Sequence, residues 1–125
     1  MTKVVVRSGT VKGFFERARA AARKADRGGE FPRTITLSFE DPQQMVSVLS
    51  ASRRQLVRAV MAKPMTVAEL TRALRRDRTA VAKDIKLLEA AGLVRTQRAL
   101  NPGHGVRTLV RASARRIDMV ATLAA

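Results

Sequence analysis

The chain has no cysteine, no tryptophan and no tyrosine, and only one histidine and four phenylalanines among its 125 residues. Without cysteine there is no disulfide, no thiolate ligand for a metal and no thiol nucleophile. The lone histidine, His104, has no second His or Cys to complete a zinc site. Single-stranded nucleic acids are held by stacking bases on aromatic rings, and four phenylalanines give that mode little platform. Acidic residues are scarce too. Asp84 beside Lys83 and Glu89 near Lys86 read as helix-surface electrostatics; with no glycine-rich Walker loop and no nucleophile-base pair, the chain is read as a non-enzyme that needs no cofactor. Long apolar runs are also missing: stretches such as Val4-Val5-Val6 fall far below the roughly 20 residues that span a bilayer. The segment Met1 to Arg7 lacks the apolar core and cleavage site of a secretory signal. A cytoplasmic protein with no membrane partner is expected.

What is abundant is positive charge. Twenty-five Lys and Arg face ten Asp and Glu, a net charge of +15. Residues 1–30 hold eight basic and three acidic side chains, 31–50 one and two, 51–92 ten and four, and 93–125 six and one. Both ends are basic around a neutral seam. Such a field attracts polyphosphates and steers association with them, and the excess of Arg over Lys favours bidentate phosphate or guanine contacts. The apolar fraction of 46% is that of a folding chain rather than a disordered tail.

Along the chain, residues 3–7 form a short β-branched run. From Val11, Phe14, Phe15, Ala18, Ala21, Ala22 and Ala25 recur at helical spacing, with Arg17, Arg19, Arg23 and Lys24 forming a basic face and Gly28-Gly29 closing the helix. Thr34 to Phe39 alternates strictly, as a half-buried strand does. The first 50 residues thus read as a β-α-β extension, suited to dimerisation or partner binding. Asp41-Pro42-Gln43-Gln44 is a helix start with an Asp cap, Pro at the first position and a Gln that reaches back. Further starts are read at Ser52-Arg53-Arg54-Gln55, at Thr66-Val67-Ala68-Glu69 and at Asp77, the last helix running to Gly92. Leu93 to Ala99 and Val106 to Arg111 flank Asn101-Pro102-Gly103-His104-Gly105 as a β-hairpin. Arg115 to Leu123 fits a strand through Ile117, Met119, Ala121 and Leu123, or a helix through Ile117, Val120 and Ala121; the strand is preferred.

Three helices and a basic hairpin in this order make a winged helix-turn-helix over residues 52–111, within a second segment of 51–125. The fold class expected is therefore α+β: a winged helix-turn-helix with an N-terminal β-α-β extension. The stretch Glu69-Leu70-Thr71-Arg72-Ala73-Leu74, the turn Arg75-Arg76-Asp77, and then Val81, Ile85, Leu88-Glu89 and Gly92-Leu93-Val94 resemble the MarR-like winged-helix transcriptional regulators. Thr71 stands where that pattern often has Ala, and Arg75 where it often has Gly. The β-α-β preface is similar to a subgroup found as antitoxins beside TumE-type toxins. The resemblance implies a homodimeric repressor on double-stranded DNA, or an antitoxin whose main task is to occlude a cognate toxin protein while repressing its own promoter.

Val81, Ile85 and Leu88 fall on the inward stripe of the last helix and leave its basic residues outward. Arg78, Thr79 and Lys83 are the candidates for base contacts, with Ala82 against a thymine methyl. Arg75, Arg76 and Lys86 are expected on phosphates. On the hairpin, Arg98, Arg107 and His104 are candidate DNA contacts, flanked by Arg95 and Arg111.

Overall fold

The computed structural model describes residues 2–6, 34–101, 103 and 105–124, with the backbone alone for 2–6 and 101. The helix expected over residues 11–25, its basic face and His104 lie outside the described residues. Among the described residues the chain is of mixed α+β class. It runs β1 (Thr2–Val6), β2 (Thr34–Phe39), α1 (Pro42–Val48), α2 (Ala51–Ala62), β3 (Met65–Thr66), α3 (Val67–Leu74), α4 (Arg78–Ala90), β4 (Val94–Asn101), β5 (Gly105–Ala112) and β6 (Arg116–Ala121).

The helix boundaries follow from their caps. Asp41 Oδ1 accepts the Gln44 N–H at 2.8 Å, while Gln44 Oε1 reaches back to the Glu40 N–H at 3.3 Å, one residue before the cap. The second helix starts earlier than the sequence suggested. Its cap is Ser50, whose Oγ accepts from Arg53 N–H at 3.4 Å, so Ser52 lies in the first turn. Thr66 and Glu69 form the expected reciprocal capping box, with bonds of 3.1 and 3.2 Å. Asp77 Oδ2 accepts from Thr79 and Ala80. At the far end of α4, Gly92 takes φ 80°, a region that costs a Cβ-bearing residue roughly 1–2 kcal/mol. There Gly92 N–H bonds the Glu89 carbonyl and Leu93 N–H the Leu88 carbonyl, both at 2.9 Å, which closes the helix end.

Two three-stranded sheets frame these helices. One is parallel, in the order β1-β2-β6. Thr2 to Val6 of β1 pairs with Ile35 to Phe39, the direction a β-α-β unit requires. On the other side of β2, Ile35 lies opposite Ile117 and Phe39 opposite Ala121. The segment that fitted either strand or helix is thus a strand, and it joins the sheet of the first 50 residues. The second sheet is antiparallel, in the order β3-β5-β4. Its hairpin pairs Val94 with Ala112 through to Asn101 with Gly105. The two-residue β3, not anticipated from the sequence, pairs Met65 with Val110 and Thr66 with Leu109.

One continuous core joins both parts. Ile35, Leu37 and Phe39 are the buried face of β2, with Thr34, Thr36 and Ser38 only partly covered on the other. They cluster with Val48, Leu56, Leu70, Val81, Leu88, Leu93 and Val110, so α2 to α4 pack on the same core that seats the parallel sheet. No described helix is long and apolar enough to cross a membrane.

The capping box makes an acid-stability prediction. The Glu69 carboxyl is held below its ordinary value of 4.5, first by the Thr66 backbone N–H, then by the Thr66 hydroxyl, with smaller help from Lys63 and Arg72 against some desolvation. A carboxylate whose pKa is lower in the folded state stabilises above the unfolded pKa and loses that effect as the pH falls through the folded one. Thermal melts from pH 6 down to about 3 should therefore show an acid-linked loss of stability that is smaller in Glu69→Gln, which cannot titrate.

Candidate nucleic-acid interface

The junction of α3 and α4 is three residues long, and its first residue carries the strain. Arg75 has φ 52° and ψ 46°, and is the only non-glycine residue with positive φ among those described. Its N–H bonds the Arg72 carbonyl at 3.3 Å and that of Arg76 bonds Thr71 at 3.4 Å, so the turn is tied down although no glycine makes it. Thr71 is accommodated in the helix because its hydroxyl donates to the Val67 carbonyl at 2.9 Å, a return bond open to threonine within a helix.

A buried carboxylate fixes α4 against α2. Asp84, only 7% exposed, accepts Arg76 Nη2 on Oδ2 at 2.9 Å and Arg53 Nε on Oδ1 at 3.3 Å. Arg53 Nη1 also donates to the Val48 carbonyl at 2.8 Å. The reading of Asp84 as a surface charge beside Lys83 is therefore corrected. Its position on the stripe of Val81, Ile85 and Leu88 turns it inward, and Lys83 points out. Glu89 likewise accepts from the Thr96 backbone N–H at 3.1 Å and from the Thr96 hydroxyl, which ties the end of α4 to β4. Arg76, expected on a phosphate, faces Asp84; its Nη1 is buried with no hydrogen-bond partner.

The remaining expected residues divide by geometry. Thr79, Lys83 and Lys86 are exposed along one stripe of α4, with Ala82 half-buried among them, the i, i+3, i+4, i+7 spacing of one helix face. Arg75 and Arg78 are exposed at the turn, and Arg98 and Arg107 are exposed on the hairpin. Arg78 and Arg107 meet across a cleft of about 410 Å³ between the start of α3, the start of α4 and β5, and Arg72 lines the same cleft. Arg72 was not singled out from the sequence. Its signal is that of a basic residue in the last turn of α3, a place where cations also serve the helix dipole. At the hairpin tip, Leu100 and Val106 are paired across the strands and are 83% and 61% exposed. Among the described residues no cluster of His, Asp or Glu has the form of a metal site.

Residues 48–117, more than half of the chain, match the HVO_A0114 family. The chain belongs to the HVO_A0114 family. The matched segment of this HVO_A0114 protein begins at buried Val48 and ends in β6, so it takes in the Asp84 ion triad, the strained turn, the cleft and the whole hairpin. No curated protein matches the chain.

Two substitutions separate scaffold from surface. Arg75→Gly should raise the free energy of unfolding by about 0.5–1 kcal/mol, because glycine relieves most of the left-handed strain while adding some chain entropy to the unfolded state; urea titration measures it. Asp84→Ala should lower it by about 3 kcal/mol, since two largely covered guanidinium groups lose their counter-charge. A double-mutant cycle with Arg53→Met should then recover part of that loss.

Proposed function

We propose that this protein is a sequence-specific regulator that binds double-stranded DNA, built as a winged helix-turn-helix with α4 as its recognition helix and the β4–β5 hairpin as its wing. One observation carries this reading: from Thr79 to Lys86 the outward stripe of α4 is basic or small, and it adjoins a cleft where Arg72, Arg78 and Arg107 converge from two helices and the hairpin. A helix about 10–12 Å across fits the major groove of B-form DNA. With α4 in that groove, Arg78, Thr79 and Lys83 reach base edges, and Ala82 offers a methyl-sized apolar contact. Arg75, Lys86, Arg72 and the hairpin residues Arg98 and Arg107 take phosphates, which position the protein without reading sequence. Arg76 acts one step back, holding the turn through Asp84. The same reading, following the resemblance to MarR-like regulators, takes the protein as a homodimeric repressor on half-sites about one helical turn (~34 Å) apart.

Selection of bound sequences from random DNA, followed by mobility shifts in rising salt, tests the proposal. Arg78→Ala should cost roughly 1–3 kcal/mol on the preferred sequence and relax preference at one position. Arg107→Ala should weaken all sequences alike and flatten the salt slope by about one unit. If the two substitutions behaved identically, α4 would not be reading bases.

A further inference from the structure

The parallel sheet offers a second surface, unrelated to α4. Among the described residues it ends at β6. Thr122 N–H donates to the Phe39 carbonyl of β2 at 3.3 Å. Peptide groups alternate direction along a strand, so the N–H and C=O groups of Ile117, Met119 and Ala121 face away from β2. Edge strands are commonly blunted by charge, proline or a bulge. Here charge is confined to the start of the strand, where Arg116 Nε pairs with Asp118 at 2.7 Å. Beyond it, Met119 and Val120 are 37% and 50% exposed, and Leu123, just past the strand, is 88% exposed.

Beside this edge lies a groove of about 290 Å³ between β6 and α2. Val57, Met61, Ile117 and Met119 give it an apolar lining, and Arg54, Arg58, Arg115 and Arg116 also line it. Arg54 Nη1 donates to the Leu49 carbonyl, a bond that leaves its charge uncompensated. Neither Arg58 nor Arg115 meets a carboxylate among the described residues. Four arginines thus line an apolar groove that has no carboxylate in its lining among the described residues, Asp118 being paired with Arg116 beside it.

From this arrangement we infer that β6 and its groove bind an extended acidic segment of a partner protein, which adds to the sheet as a fourth strand. Main-chain bonds to Ile117, Met119 and Ala121 hold it, as in strand addition generally. On the side that faces the groove, its apolar side chains enter the lining and its Asp and Glu side chains meet the arginines around it. A second copy of this chain suits the surface poorly, because it brings the same four arginines and a further net charge of +15. A small organic anion fits the volume but leaves the strand edge unused.

The test uses the full chain and two synthetic peptides of roughly eight residues, a normal strand length. One alternates Glu and Val along a single face, with Thr at every second position; the other has the same composition with all Glu before all Val. Calorimetry at about 0.15 M salt should show the alternating peptide binding about tenfold tighter than the blocked one, and amide shifts in NMR spectra should centre on Ile117, Met119 and Ala121. Methylating alternate peptide nitrogens should abolish that advantage without any change to the protein. Arg58→Glu combined with Arg115→Glu, both at exposed positions, should weaken the alternating peptide about tenfold. Equal binding of the two peptides, or shifts centred on α4, would reduce the interaction to net charge and overturn the inference. Benzoate shifting the groove residues while the alternating peptide does not would make it a small-molecule site. A dimer in sedimentation with its β6 amides protected from exchange would assign the edge to a second copy. None of these outcomes depends on whether α4 binds DNA.

Discussion

A carboxylate buried among apolar side chains is costly unless cations reach both of its oxygens, and Asp84 is reached from two directions. Arg53 comes from α2 and Arg76 from the turn before α4. Because Arg53 also bonds the Val48 carbonyl, the same ion group touches the end of α1. Dispersion and area burial hold the helices together, but they are non-directional. The ion triad adds direction: it sets how far α4 turns about its own axis, and hence that Thr79, Lys83 and Lys86 face outward together.

Around that fixed point the molecule accumulates positive charge in places where local structure works against it. Arg75 occupies a left-handed conformation that glycine would adopt at no steric cost. Arg72, Arg78 and Arg107 share a cleft, with the Glu69 carboxylate near them already engaged by Thr66. Like charges brought together this way raise the energy of the isolated protein. A polyanion bound at this cleft would offset that repulsion, which supports the DNA reading alongside the spacing of α4.

How much of this was legible in the sequence depended on range. Features decided within four or five residues were readable: the caps at Asp41, Thr66 and Asp77, the glycine stop at Gly92, the alternation of β2 and the hairpin. Where two local signals competed, the sequence misled. Ser52 reads as the cap, but Ser50, next to the buried Val48 and Leu49, takes that place. The two-residue β3 exists because β5 lies beside it, and two residues carry no period to read. Asp84 looked like a surface charge because one of its two partners, Arg53, stands 31 positions away. The role of Arg76 changed because its partner lies eight positions on, across the turn and into α4, whereas Thr79, Lys83 and Lys86 lie where helical phase puts them.

The parallel pairing of β2 with β6 has a consequence for how the chain assembles. The strand from the first third of the sequence takes one of its neighbours from the last few residues, with all of α1 to α4 and the hairpin synthesised in between. Contacts of such long sequence separation form late and slow the overall rate. On a ribosome, which releases the chain from its beginning, the helices and hairpin emerge while β2 still has an open side. Completing the parallel sheet therefore depends on a pairing that spans all of the helices and the hairpin.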